Sequence, residues 1–163
     1  MAQTASIAAQ QFVVFLSDPT TGVSAAAATL AADSGILLAP IEHIVDQNVS
    51  VAIAERAKAV KYPVVLVYSN RVRNLLTEKF RTFSGKVQTV AEVRVSQDRI
   101  DGIEDQLRLY VDAVTQVLDS NRGTWGQGLF YAGQYDVNFD PVQHGGRNFL
   151  QVAKVTFEVD LSS

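Results

Sequence analysis

Asp101, Glu104 and Asp105 are the residues whose types and spacing come nearest to a paired-carboxylate acid–base site. A proton donor and an acceptor must converge on one cleft to do such work. These three instead stand at the start of an apolar-periodic segment, where a helix dipole favours negative charge, and the structural role is the expected one. His43 and His144 are the two histidines, far apart in the chain. Neither has a partner at HxxxH or HxxE spacing, so no metal site is expected. There is no cysteine, which removes thiolate chemistry, disulfides and Cys-ligated metals. No GxSxG elbow occurs.

Two stretches are glycine-rich, "GTWGQG" (Gly123–Gly128) and "HGGRN" (His144–Asn148). A phosphate-cradling loop needs a strand before it and a helix N-terminus after it. The first lies between a predicted helix and a predicted strand, the second between two predicted strands, so turns are expected at both. "EKFRTF" (Glu78–Phe83) mixes basic and aromatic residues as nucleic-acid sites can. In a chain with a net charge of -3 a packing or subunit contact is the better reading. The sequence thus predicts no catalytic, cofactor-binding or metal residues, and no enzyme. A small-molecule enzyme would need a pocket of convergent polar groups that no motif announces.

The 163 residues suffice for one domain with a real core, and 47% hydrophobic against 19% charged residues is a globular composition. Mild acidity argues against general nucleic-acid binding. The N-terminal stretch lacks a positive first segment and its apolar run is broken by Gln10–Gln11, so a secretory signal is not expected. No segment approaches the ~20 apolar residues of a membrane span.

The elements that must position these residues read as α+β. Ile7, Phe12, Phe15 and Leu16 stripe a helix over 4–17, capped by Thr4 or Ser6 and broken at Asp18–Gly22. An alanine-rich helix is expected over 24–35, and helix formers dominate Ser50–Val60. "YPVVLVYS" (Tyr62–Ser69) is apolar on both parities, as a strand covered on both faces is. "KVQTVAEVRVS" alternates. Ile100, Ile103, Leu107, Val111, Val114 and Leu118 define a long helix, with Asp98 as its expected cap and Asn121–Gly123 at its end. Leu129, Tyr131, Tyr135, Val137 and Phe139 share one face of a strand. "DPVQHGGR" then links it to the last strand, "NFLQVAKVTFEVDLSS", as an antiparallel hairpin. The expected fold is a largely antiparallel β-sheet with helices packed on one face and a C-terminal β-hairpin, in one domain over 1–163.

Four phrases carry a family likeness: "AERAKAVKYPVVLVYS", "LTEKFRTFSGKVQTVAEVRVSQDR", "LRLYVDAVTQVLDSNRGTWGQGLFYAGQY" and "GGRNFLQVAKVTFEVDLSS". From about Asp46 to its end the chain resembles the tail terminator (tail completion) proteins of tailed bacteriophages. The segment 24–39 has least to match and is expected to be a family-atypical insertion. The resemblance implies an α+β fold and a structural virion protein: a homohexameric ring that caps the tail tube and joins it to the head–tail connector. The implied partners are further copies of the chain, the tail tube protein and the connector or stopper protein. No membrane and no specific nucleic-acid recognition are implied, the genome merely passing through the ring lumen. The implied location is the tail neck of a virion assembled in the host cytoplasm. A stopper or tube-related adaptor of similar fold is the alternative.

A ring protein works through strand edges, loops and polar faces. The expected interface residues are Arg122, Trp125 and Gln127 in one loop, Gln143, His144 and Arg147 in another, and Lys154 and Glu158 on the wet face of the last strand. Trp125 either anchors an interface or caps the core beneath its loop. The outer edge of the last strand, with no segment following it, is expected to meet the next copy.

Overall fold

The computed structural model describes residues 4–41, 43–57, 61–145 and 147–163. Helix α1 (Thr4–Ser17) and helix α2 (Val23–Ser34) come first, followed by strand β1 (His43–Val45), the short helix α3 (Val51–Ala57) and strand β2 (Val64–Asn74). Strand β3 (Ser84–Gln97) precedes the long helix α4 (Ile103–Ser120). Strands β4 (Gly123–Gly126), β5 (Leu129–Tyr131), β6 (Tyr135–Phe139), β7 (Gln143–Gly145) and β8 (Asn148–Ser162) complete the chain.

Among the described residues all eight strands belong to one sheet. Its spine is the β3–β8 pair, antiparallel from Ser84↔Ser162 to Gln97↔Phe149. β2 pairs antiparallel with β3, and β1 adds the one parallel pairing, against Val64–Leu66. The other edge of β8 is taken in succession by β5 at Leu129↔Leu161, β6 at Tyr135↔Phe157 to Phe139↔Ala153, and β7 at Gln143↔Leu150. The expected C-terminal hairpin and its sharing of one sheet with β3 are therefore present. The expectation of an uncovered outer edge on the last strand is overturned. A strand has two edges, and β3 and the β5–β7 series fill both, so β8 is central.

Antiparallel partners point to the same face. Val87, Ala91, Val93 and Val95 of β3 join Val65 and Val67 of β2 and Ala153, Val155, Phe157 and Val159 of β8 in the main core. The helices α1 and α4 cover this face, with Phe12, Leu16, Leu107, Tyr110, Val114 and Leu118 buried. α2 packs on α4 through Val23 and Ala27, and Tyr110 donates its hydroxyl proton to Ala39 O at 2.5 Å. The alanine-rich segment is thus built into the helical layer.

The opposite face carries a second, smaller core. Val64 and Leu66 of β2, Val90 of β3, and Leu150 and Val152 of β8 are buried there, and Ala54 of α3 is buried too. α3 is the helix that departs from the one-face arrangement: Tyr62 bonds Glu55 within it, and Arg94 of β3 bonds Val49 just before it.

Three local expectations change. Asp98 does not cap α4, because the helix starts later, after Gly102 in the left-handed region (φ 82). Ile100 consequently lies outside the helix and is 55% exposed. The expected single strand over 129–139 is broken between β5 and β6 at Gly133 (φ 112); of its predicted apolar face Leu129, Tyr131 and Val137 reach the core, while Tyr135 and Phe139 are exposed. The expected helix over 50–60 is described as far as Ala57, and residues 58–60 lie outside the described residues.

Candidate assembly surface

The predicted interface residues fall into separate places. Arg122 follows α4, half-exposed, with its guanidinium 3.3 Å from Asp119 and its stem laid over Gly133, where an added Cβ would meet Arg122 Nε at 2.8 Å. Gln127 (φ 55) is exposed at the tip of the tight β4–β5 turn. The expected loop "GTWGQG" is a hairpin because Gly128 (φ 80) passes so close to β8 that a Cβ would meet Ser162 O at 2.1 Å.

Gln143, His144 and Arg147 are exposed around the β7–β8 turn, with the His144 ring stacked on Phe149 at 5.4 Å. This turn and the β4–β5 corner lie at opposite ends of β8, roughly 40 Å apart along a strand of that length. The two loops do not form one site. Lys154 and Glu158 project from the face opposite the main core; Lys154 Nζ is 3.8 Å from Glu92, and Glu158 is 3.6 Å from Lys86.

Trp125 belongs to the core. It is 7% exposed, its indole N–H donates to Asn121 O at 2.6 Å, and its ring contacts Phe12, Phe15, Tyr131 and Phe157 at centroid distances of 5.2–6.1 Å. Of the two readings open in the sequence, the core cap is the one realised. Trp125 is therefore not an interface anchor, because a side chain so buried offers little surface to a neighbour.

Sequence reasoning missed a buried polar cluster on the second face. Glu92 and Arg94, with side chains 6% and 3% exposed, form an ion pair. The Tyr68 hydroxyl donates to Glu92 at 2.9 Å, and Arg94 donates to Val49 O, tying the segment before α3 to the sheet. Tyr62 donates its hydroxyl proton to Glu55 of α3. Burial pushes the Tyr62 and Tyr68 phenols well above the usual tyrosine range, aided by the charges of Glu55 and Glu92. The Glu92 carboxylate is engaged by Arg94, Tyr68 and Lys154, which suits a structural clamp. Its signal in the sequence is a pair of opposite charges two residues apart, Glu92 and Arg94, on the polar side of an alternating strand.

The depression on this face, about 480 Å³, is lined by Lys86, Gln88, Tyr135, Asp136, Glu158 and Asp160 among others, and Lys86 spans it to reach Glu158 and Asp160 at 3.6 and 3.4 Å. Among the described residues no group of three or more His, Asp or Glu side chains is placed to hold a metal ion. No helix among them is long and apolar enough to cross a membrane.

The tip of the β2–β3 hairpin brings exposed apolar side chains together in one short segment. Leu75, Leu76 and Phe80 are 45%, 62% and fully exposed, and Leu76 and Phe80 hold positive φ values of 49° and 66°. Such φ values in bulky residues cost on the order of 1 kcal/mol or more each. Hydrogen bonds fasten both ends of the tip. Ser84 Oγ accepts the Thr77 and Glu78 N–H groups at 2.8 and 3.1 Å, and Asn74 Oδ1 accepts those of Leu76 and Ser84 at 3.2 Å. From the chain end, Ser163 O accepts from the Thr82 and Phe83 N–H groups, and Ser162 Oγ donates to Glu78 at 2.6 Å. Within "EKFRTF", Phe83 is core and Phe80 is surface.

No protein-family model matches the chain, and no curated protein sequence matches it.

Proposed function

We propose that this chain is a structural virion protein, a tail terminator that assembles as a ring at the neck of a tailed phage. There it caps the tail tube and meets the head–tail connector. The observation that carries the reading is the β2–β3 hairpin tip. A hydrogen-bonded hairpin tip that presents Leu75, Leu76 and Phe80 to water, with positive φ at Leu76 and Phe80, is suited to docking on another protein. The sequence resemblance supplies the kind of assembly. The engagement of Glu92, Arg94 and Tyr68 by one another fits a protein that works through surfaces.

Negative-stain imaging of virions labelled with an antibody against the chain tests this reading. Label confined to the junction of head and tail is expected. Label on the capsid shell or baseplate would remove it.

A further inference from the structure

Besides the short outer edges of β1, β4 and β7, two longer stretches of sheet edge are open among the described residues. β1 covers β2 only at Val64–Leu66, which leaves the outer edge of β2 from Val67 to Asn74 with no strand beside it. On the far side, β6 pairs with β8 along one edge and no described strand pairs with the other. Each such edge presents unpaired N–H and C=O groups.

The two edges match face by face. Val72 lies opposite Val87, so it points to the helix-covered side, while Arg71 and Arg73 lie opposite Gln88 and Lys86 and point away from it. On β6, Tyr135, Val137 and Phe139 point to the helix-covered side and Asp136 and Asn138 point away. Val72, Tyr135 and Phe139 are 41%, 36% and 43% exposed. Among the described residues none of Arg71, Arg73 and Asp136 makes an ion pair.

We infer that the β2 edge of one copy adds to the β6 edge of the next, continuing the sheet from subunit to subunit. The strands β2, β3, β8 and β6 alternate in direction, so a neighbour's β6 beside β2 keeps the antiparallel alternation across the contact. Arg71 and Arg73 then face Asp136 on one side of the joined sheet, and Val72 faces the Tyr135–Phe139 row on the other. Charge selects this pairing over its rivals. Two β2 edges would set arginines against arginines, and two β6 edges Asp136 against Asp136, and like charges across strands are destabilising. The contact is therefore heterologous, the kind that closes into a ring when its rotation allows. The inference deepens the ring reading, and rests on it for the choice of a second copy as the occupant.

The cysteine-free chain allows a clean crosslinking test. Val72→Cys protein is mixed under mild oxidation with each of Tyr135→Cys, Val137→Cys and Phe139→Cys, the three positions scanning the register; circular dichroism first verifies that each variant is folded. One mixture should yield a mixed disulfide dimer, since facing strand positions lie within disulfide reach. Asp136→Arg should lower its yield roughly fivefold, and Arg71→Asp or Arg73→Asp in the partner should restore it. Self-crosslinking of Val72→Cys as efficient as the mixture, or no mixed species at any of the three positions, overturns the inference. If crosslinks fail while light scattering on the parent protein reports a closed oligomer, the edge assignment falls and the ring reading stands. If crosslinks form while antibody labels a part of the virion other than the neck, the edge pairing stands and the neck function falls.

Discussion

Replacing Trp125 with Ala should unfold much of the molecule's margin of stability without touching any exposed surface. The side chain is 7% exposed and packs among Phe12, Phe15, Tyr131 and Phe157. Truncating so buried an aromatic costs about 3–5 kcal/mol through lost transfer energy and the cavity left behind. Loss of the indole N–H also leaves Asn121 O, at the end of α4, without its donor, worth about 1 kcal/mol. Taking about 5 kcal/mol for the whole, a domain of this size should lose roughly 10–20 °C in Tm. Trp125→Phe keeps an aromatic ring and loses only the donor and part of the volume, so its loss should be about half as large or less. The assay is urea unfolding followed by far-ultraviolet circular dichroism, because either substitution removes the chain's only tryptophan and with it the fluorescence signal. A loss below about 1 kcal/mol for Trp125→Ala would refute the core assignment. So would a variant whose monomer is as stable as the parent while its assembly fails.

Arg94→Met strands the buried Glu92 carboxylate and should cost about 3–5 kcal/mol, while the double variant Glu92→Leu/Arg94→Met should be the more stable of the two, as a double-mutant cycle in urea would report. Tyr110 and Tyr131 phenols are pushed up to about 12 by burial, with Asp119 adding to the effect at Tyr131. Burial raises Tyr62 and Tyr68 as well. A raised pKa means that the folded state holds these protons more tightly than the unfolded chain. The stability this represents is complete below pH ~10, the unfolded value, and is lost as pH rises towards the folded values. Phenolate absorbance should show these four tyrosines ionising together with unfolding; normal titration of all four near pH 10 in a still-folded protein would contradict it. Ending the chain after Gln151 deletes Val155, Phe157, Val159 and Leu161 from the core and the partners of both β3 and β6, so the fragment should lack cooperative unfolding altogether.

Much of this fold was legible because burial leaves a period in the sequence. The three- and four-residue steps from Ile103 to Leu118 gave α4, and the alternation of Val87–Val95 and Phe149–Leu161 gave two strands that share a core face. The start of α4 was misread because Ile100 fits the helical period but precedes Gly102, whose left-handed conformation sets the true first turn. Periodicity reports which face is dry and is silent on which strand lies beside which edge. That is why the pattern alone suggests an open outer edge on β8, whereas its own hairpin partner and β3 between them use both its edges. The double-sided apolarity of Val64–Val67 is matched by burial on both faces, Val65 and Val67 in the main core and Val64 and Leu66 on the other side. The expected interface residues stand out by type, six in glycine-rich loops and two, Lys154 and Glu158, on the polar side of the last strand. Neither the stretch Arg71–Arg73 nor Asp136 carries such a mark, and only the pairing register reveals that these charges line open edges.

The central claim is that the chain forms a ring at the neck of a tailed phage. A density map of that neck tests it most directly. The account predicts a closed ring of copies of this fold between tail tube and connector, with β2 of each subunit beside β6 of the next. A neck into which this fold cannot be fitted, or its presence as single copies elsewhere on the particle, would contradict it.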